Sequence, residues 1–198
     1  MTVFHKICGP KKYCAADVLE NTIQLAVEIA REGREGRKVG TLFIVSDEKE
    51  VLKRSRPMIL DPLYGHPADK KKICDPDMRE TIKELAQLDG AFIVSGDGVV
   101  ISAARYINAS SRRIELPLGL GSRHVAAASI SRDTQAVTVV VSQSSIVRVF
   151  NKGKLISEII PEIWLFGNDG FKISGPYEEQ KIGDLRIVSV KTCKQNEG

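Results

Sequence analysis

Residues 119–128 read GLGSRHVAAA, and the rest of the chain is interpreted outward from this stretch. Its two glycines allow backbone angles that other residues resist and let a ligand approach closely. A helix that begins near Ser122 leaves unpaired N–H groups and a partial positive charge, which suit a phosphate. Arg123 can hold phosphate oxygens with its forked guanidinium, and His124 can hydrogen-bond a phosphate, bind a metal or move a proton. The alternative is a plain helix start with Ser122 as N-cap and two solvated side chains.

Two other motifs stand in order around this stretch. Asp89-Gly90-Ala91 precedes it, and Ser142 ends an apolar run that follows it. Together with Gly121-Ser122-Arg123-His124 they resemble the diadenylate cyclase family, whose signatures are Asp-Gly-Ala and Gly-Thr-Arg-His-Arg. The resemblance covers roughly residues 39–156, and three ordered motifs at compatible spacing are far more specific than one.

The sequence departs from the family pattern at three positions. Ser122 stands where the family usually has Thr, which keeps the hydroxyl and loses a methyl group. Val125 stands where the second Arg is usual, which removes a cation near the phosphates. Gln143 occupies a position that is often Glu.

The resemblance implies a fold and a reaction. The fold is α/β, a single domain with a twisted mixed β-sheet flanked by helices and the nucleotide at one edge. The reaction condenses two ATP molecules into cyclic di-AMP and two pyrophosphates, with Mn²⁺ or Mg²⁺ as cofactor. One chain carries one set of motifs, so the resemblance implies a homodimer or higher homo-oligomer with facing active sites.

The resemblance also implies roles for single residues. Asp89 would be catalytic and would activate the ribose 3′-hydroxyl, directly or through the metal, although a turn residue is the plain alternative. Asp89 and His124 are the candidate metal ligands. The implied ATP-binding residues are Gly90, Ala91, Ile107, Gly121, Ser122, Arg123, His124 and Ser142.

Apolar periodicity independently predicts an α/β domain. Buried strands are expected to begin near Val39, Ala91, Val99, Ala136 and Ile146. Hairpins around residues 96–98 and 151–154 make the predicted sheet mixed rather than purely parallel. Helices are expected over residues 15–31, after Asp75-Pro76 and over residues 123–131, with a short helix or turn at residues 47–52. In the helix after Asp75-Pro76, the spacing of apolar residues turns Glu80, Lys83 and Glu84 towards solvent. Residues 56–67 are predicted to form a loop.

These elements suggest a division of the chain. Residues 1–38 form an N-terminal helical segment, residues 39–158 form the diadenylate cyclase-like core, and residues 159–198 form an extension without a readable motif. His66 lies in a proline-rich loop with no identifiable partner, so we interpret that loop as a structural cover.

Composition narrows the classes of function. The 198 residues are 42% hydrophobic and 27% charged with a net charge of +4, which is ordinary for a soluble globular protein. The four cysteines form no CxxC pair, so a zinc ribbon or redox motif is not expected, and His5, Cys8 and Cys14 lack a fourth ligand. No apolar run reaches the ~18 residues of a membrane span and no signal peptide is visible, so we expect a cytoplasmic protein.

Three hypotheses remain from the sequence. The first is a diadenylate cyclase. The second is a catalytically weakened module of the same fold that binds ATP or cyclic di-AMP, which Val125 and Gln143 make plausible. The third is a basic structural or nucleic-acid-binding protein. Scattered charge and the absence of interleaved aromatic residues disfavour it, so no nucleic-acid partner is expected.

Overall fold

A computed structural model describes residues 15–108, 114, 116–161, 176–182 and 185–190. His5, Cys8, Cys14 and Cys193 lie outside the described residues. Cys74 is exposed and free. Within the described residues, no helix combines the length and apolarity needed to cross a membrane.

Among the described residues, nine strands form one sheet in the order β2-β4-β3-β1-β5-β6-β7-β9-β8, and the sheet is mixed, as predicted. Strands β1 and β3 are parallel, and every other neighbouring pair is antiparallel. The strands are β1 (Thr41–Val45), β2 (Ser55–Pro57), β3 (Ala91–Val94), β4 (Val100–Ile107), β5 (Val137–Val141), β6 (Val147–Asn151), β7 (Lys154–Pro161), β8 (Tyr177–Ile182) and β9 (Leu185–Val190).

Helices cover both faces of the sheet. They are α1 (Ala16–Glu32), α2 (Glu48–Lys53), α3 (Pro76–Leu85) and α4 (Ser122–Asp133), with a 3-10 helix at Ala68–Lys71. Side chains of β1 point alternately to two buried clusters, as the two-residue period of a strand requires. Phe43 belongs to the cluster that contains α1 and α3 residues, and Ile44 to the cluster that contains Ala127 of α4. The domain therefore has three layers.

The predicted helix start at Asp75-Pro76 is confirmed. The Asp75 carboxylate accepts a hydrogen bond of 3.1 Å from the Met78 amide, and Pro76 occupies the first turn. Small residues let helix α4 pack closely on the sheet. Ala127 and Ala128 are completely buried against the sheet, where a larger side chain would hold the helix further away.

The prediction that Lys83 faces solvent is wrong. Lys83 is only 8% exposed, and its Nζ lies 3.2 Å from carboxylate oxygens of Glu28 and of Glu32 on α1 and 2.9 Å from one of Glu80. Burial opposes the charge, but hydrogen bonds to the three carboxylates raise the pKa of Lys83. Because α1 supplies two of these carboxylates, the spacing within α3 alone could not predict the burial.

Two regions contain more regular structure than the sequence suggested. Arg56 and Pro57 belong to the short edge strand β2, which pairs with the end of β4. In the C-terminal region β9 pairs with β7, and β8 completes the sheet. Strand β7 runs across residue 158, and α1 shares a buried cluster with β5 and β6. The proposed division at residues 38 and 158 stays a prediction.

Candidate functional site

The residues expected to bind the nucleotide collect at one end of the central strands. Strands β1 and β3 begin at this end, and the antiparallel strands β4 and β5 finish there. Asp89 and Gly90 therefore precede β3, Ile107 ends β4, and Ser142 follows β5. The candidate site therefore lies at the ends of the central strands and not along an edge strand. Helix α4 also begins at this end of the sheet.

Asp89 and Arg123 are in direct contact although 33 residues separate them. The Arg123 Nη2 donates to Asp89 Oδ1 over 2.8 Å, with the Asp89 side chain 77% exposed and that of Arg123 35% exposed. Exposed ion pairs of this kind contribute about 0–1 kcal/mol. An incoming phosphate can therefore compete with Asp89 for the guanidinium at little cost.

Two cavities meet at Ser122 and Arg123. The first has a volume of about 440 Å³. It is lined by the loop at residues 119–124, the turn at 142–144 and Arg148, which supply its polar groups, and by Val140, Val141 and Ile146. The second has a volume of about 590 Å³. Its wall is more apolar, and it includes Leu42, Met58, Ala91, Tyr106, Ile107 and Ala126. Ser122 and Arg123 line both cavities, so the loop expected to bind phosphate faces a polar and an apolar compartment.

Gly90 is required where β3 passes close to β4. It has φ +111°, and a Cβ atom there would lie 2.7 Å from the Ala104 carbonyl carbon. Ala104 itself has φ +50°, and the register between the strands shifts between Ala91 and Ile93. The irregular stretch brings the two backbones together and fixes the direction in which the preceding Asp89 leaves the sheet.

Gly40 was not recognised from the sequence as a site residue. A Cβ atom at Gly40 would lie 3.1 Å from Arg123 Nη1 and 3.3 Å from Cγ of Gln143. The absence of a side chain therefore leaves the room that the Arg123 guanidinium occupies. A lone glycine directly before a buried strand is the signal that could have indicated a close approach.

His124 is a buried, neutral imidazole. It is 7% exposed, and burial, assisted by the charge of Arg148, lowers its pKa to about 4. Its Nε2 lies 3.3 Å from Arg148 Nη1. Contact with the Gly121 backbone opposes part of this lowering of the pKa, although the buried Nδ1 makes no hydrogen bond of ordinary geometry to a described residue.

Ser142 lines the polar cavity, but its hydroxyl is engaged in the turn between β5 and β6. It donates to the Ile146 carbonyl oxygen over 3.0 Å and accepts from the Ile146 amide over 3.2 Å. A second hydroxyl, that of Ser144, lies 2.8 Å away. The turn thus presents a hydrogen-bonded rim to the cavity next to Gln143.

The described residues contain no cluster of three or more potential protein ligands for a metal. Asp89 offers one carboxylate, of which Oδ1 already accepts from Arg123. One carboxylate fits Mg²⁺, which proteins commonly hold through one or two carboxylates while substrate phosphates and water complete the octahedron. His124 fits less well, because the guanidinium of Arg148 faces Nε2 and Nδ1 is buried.

Arg148 and Glu158 were also missed by the sequence analysis. Each is a single charged residue inside an otherwise apolar run, IVRVF or LISEII, on either side of the predicted hairpin. A charge that interrupts a buried strand needs a partner, which is the signal that could have identified them.

Comparison with known protein families agrees with this site. Residues 28–155 match the DAC family, described as DisA bacterial checkpoint controller nucleotide-binding. The chain belongs to this family. Every site residue expected from the sequence lies inside the part that matches the DAC family.

Two curated relatives extend the comparison. A protein of Methanocaldococcus jannaschii named diadenylate cyclase is 49% identical over 144 residues, which cover 72% of this chain and 45% of that protein. A protein of Haloferax volcanii with the same name is 39% identical over 148 residues, which cover 74% of this chain and 54% of that protein. The chain thus spans about half the length of the curated relatives it matches.

A solved structure supports the fold of this DAC family member. The crystal structure of a hypothetical membrane spanning protein from Bacillus cereus superimposes with a TM-score of 0.51 at 19% identity, covering 74% of this chain and 64% of that one. At this identity the likeness concerns the fold alone.

Proposed function

We propose that this chain is a diadenylate cyclase that condenses two ATP molecules into cyclic di-AMP and two pyrophosphates. Membership of the DAC family and the names of the two relatives support the activity. The observation that carries the assignment of the site is the Asp89–Arg123 contact of 2.8 Å, at the junction of a polar and an apolar cavity. A carboxylate and a guanidinium there are suited to meet a ribose hydroxyl and a phosphate together.

In each transfer, the 3′-oxygen of one ATP attacks the α-phosphorus of the other. The new O3′–P bond forms as the bond from the α-phosphorus to the bridging oxygen breaks, and that oxygen leaves with pyrophosphate. The proton of the 3′-hydroxyl goes to a base, for which Asp89 is our candidate. Two such transfers close the ring.

The phosphates would lie in the polar cavity. Arg123 would bind them by giving up its exposed contact with Asp89, and the Ser122 hydroxyl would donate to a phosphate oxygen. Ser122 and Arg123 open α4 and line this cavity, so the partial positive charge of the helix N-terminus would lie beside the phosphates. The adenine would lie in the apolar cavity, where Ala91 and Ile107 form part of the wall.

Asp89 is the residue that would hold Mn²⁺ or Mg²⁺ together with the nucleotide phosphates. When bound, the divalent ion neutralises phosphate charge and acidifies a coordinated hydroxyl. The residues of this chain would contribute to catalysis mainly by positioning the two nucleotides, because phosphoryl transfer of this type depends chiefly on alignment and charge stabilisation.

The reaction requires two nucleotides, and the chain carries one set of motifs. We therefore propose that two copies face each other, so that each presents its ATP to the other. Turnover per chain should then fall on dilution in the presence of ATP. Activity that remains strictly proportional to protein concentration, at dilutions where sedimentation detects only monomers, would contradict the facing arrangement. The cytoplasmic location expected from the sequence stays a prediction.

The decisive experiment is incubation with ATP and Mn²⁺ or Mg²⁺, followed by chromatography of the products. The wild-type chain should form cyclic di-AMP. Asp89→Asn should abolish product yet keep ATP affinity within about tenfold, because Arg123 and the loop still bind phosphates. Asp69→Asn, the same change at an exposed site outside both cavities, is the control. Wild-type turnover in Asp89→Asn would make Asp89 a turn residue.

The second candidate function is a binding module of the same fold with weakened catalysis. Val125 lines the apolar cavity where the family usually has a second Arg, and Gln143 lines the polar cavity where Glu is frequent. The same incubation separates the two functions. ATP binding without product in the wild-type chain would favour the binding module.

A further inference from the structure

A buried ion pair lies behind the polar cavity. Arg148 on β6 and Glu158 on β7 are direct cross-strand partners, and Arg148 Nε donates to Glu158 Oε1 over 2.6 Å. Their side chains are 5% and 1% exposed. Buried ion pairs rarely stabilise a fold more than apolar residues of the same volume would, because desolvation offsets the attraction. A role in specifying local structure is therefore worth testing.

The guanidinium also reaches the start of α4. Arg148 Nη1 lies 3.3 Å from His124 Nε2, and Arg148 lines the cavity with His124. A guanidinium can only donate hydrogen bonds, so Nε2 must accept and carry no proton. The single proton of the neutral ring is then on Nδ1. Arg148 thus selects one tautomer of His124 and occupies the nitrogen that would otherwise face a ligand.

A second contact fixes the plane of the ring. The imidazole of His124 packs edge-to-face on Phe150, with ring centroids 6.2 Å apart. Phe150 and Arg148 belong to the same strand, and Phe150 is completely buried. The residue that follows Ser122 and Arg123 is therefore attached to β6 by a hydrogen bond and an aromatic contact. Movement of the phosphate-binding loop would have to break both.

We propose that Glu158 and Arg148 are positioning residues for the nucleotide site, which hold His124 as its Nδ1–H tautomer and thereby fix Ser122 and Arg123 against the sheet. Glu158 orients the guanidinium, and the guanidinium orients the imidazole. In this arrangement His124 is neither a metal ligand through Nε2 nor a proton carrier. The inference rests on the proposed function only in taking ATP as the ligand.

Arg148→Lys is the most informative substitution. Lysine keeps a positive charge beside the buried Glu158 carboxylate. Its ammonium lacks the planar arrangement of donors with which the Arg148 guanidinium contacts Glu158 and His124 at the same time. We expect a folded protein in which His124 loses its fixed tautomer. ATP affinity, measured by calorimetry, should fall by up to about tenfold, the effect of losing one hydrogen bond that positions the loop.

The tautomer is read directly from ¹⁵N NMR spectra of the histidine rings. The chain has three histidines, and His124→Gln identifies the signals of His124 by their disappearance. The wild type should show a protonated Nδ1 and an unprotonated Nε2, unchanged by added Mg²⁺. Arg148→Lys should show both tautomers. Arg79→Lys alters another Arg–Glu contact, the one between α3 and Glu28 of α1, and should leave the His124 signals and ATP affinity unchanged.

Two outcomes would overturn the inference. One is a wild-type spectrum with the proton on Nε2, which needs no substitution and decides the matter even if Arg148→Lys does not fold. The other is a folded Arg148→Lys protein with wild-type tautomer and ATP affinity. Neither readout depends on turnover. A chain that binds ATP but makes no cyclic di-AMP would refute the proposed function and leave this inference standing.

Discussion

Replacement of Gly90 by alanine tests whether the site depends on the close passage of β3 and β4. Gly90 has φ +111°, and an added Cβ would lie 2.7 Å from the carbonyl carbon and 2.8 Å from the Cα of Ala104. Both are backbone atoms, so no side chain can rotate away. The alanine must therefore change its own backbone angles or push the strands apart.

Two costs add at Gly90. A non-glycine residue in a sparsely populated region of positive φ costs about 1–3 kcal/mol. Forcing an extra methyl group into a packed region costs about another 1–3 kcal/mol. Alanine also lowers the conformational entropy of the unfolded chain, which offsets about 0.4–1 kcal/mol of this destabilisation. We expect the free energy of unfolding to fall by about 2–5 kcal/mol.

Gly65→Ala is the matched control. Gly65 has φ +81°, but nothing lies within 4 Å of an added Cβ. It therefore carries the conformational cost alone, about 1–2 kcal/mol. Urea unfolding followed by circular dichroism measures both variants, and similar m-values would justify comparing their midpoints. Equal destabilisation of the two variants would refute the close approach as the reason for Gly90. A folded Gly90→Ala should also lose turnover, because Asp89 leaves the sheet from this point.

Two other predictions follow from the site. Gly40→Ala should weaken ATP binding by up to about tenfold, because its Cβ would lie 3.1 Å from Arg123 Nη1 and would displace the guanidinium; unchanged affinity in calorimetry would exclude this effect. The unfolding midpoint should fall slightly as well, because the same Cβ would lie 3.3 Å from the Val141 carbonyl oxygen, a backbone atom. The pKa of His124, lowered to about 4 by burial, means that the unfolded chain binds more protons than the folded one between pH 6.5 and 4. The free energy of unfolding should therefore fall as the pH is lowered from 6.5 to 4, by at most about 3 kcal/mol and by less with solvent screening. Urea titrations of the wild type and of His124→Gln at several pH values should show a smaller fall in the variant.

The central fold could be predicted because its signals are local. The apolar run that became β1, the cap at Asp75 and the hairpin at 96–98 each determine their own element, whatever surrounds them. Strand β2 could not be predicted in this way. It has three residues, contains a proline and exists because β4 extends far enough to pair with it. The pairing of β9 with β7 likewise depends on partners distant in sequence.

The candidate site could be predicted only where a motif carried it. Asp89 and Arg123 were expected to act on one nucleotide, and the structure brings them into contact. Arg148 and Glu158 were missed because an irregularity within their hairpin shifts the register that the turn alone would set. Asn151 pairs with Lys154 at the turn, but the register shifts by one residue beyond Phe150. An undisturbed ladder would pair Arg148 with Ser157 instead of Glu158.

The charges around the polar cavity bear on the replacement of the family's second Arg by Val125. Two arginines line it, but Asp89 contacts Arg123 and Glu158 contacts Arg148, while His124 is neutral near pH 7. The described side chains thus offer little uncompensated positive charge to a triphosphate. Arg148 is buried against Glu158, so Arg123 is the guanidinium that can exchange its partner, since its ion pair is exposed and weak. In the proposed function, the N-terminus of α4 and the divalent ion carried by ATP would then supply much of the remaining attraction. Valine at position 125 is tolerable in such a site, because phosphate binding rests on exchange at Arg123 and on backbone donors more than on a cluster of cations.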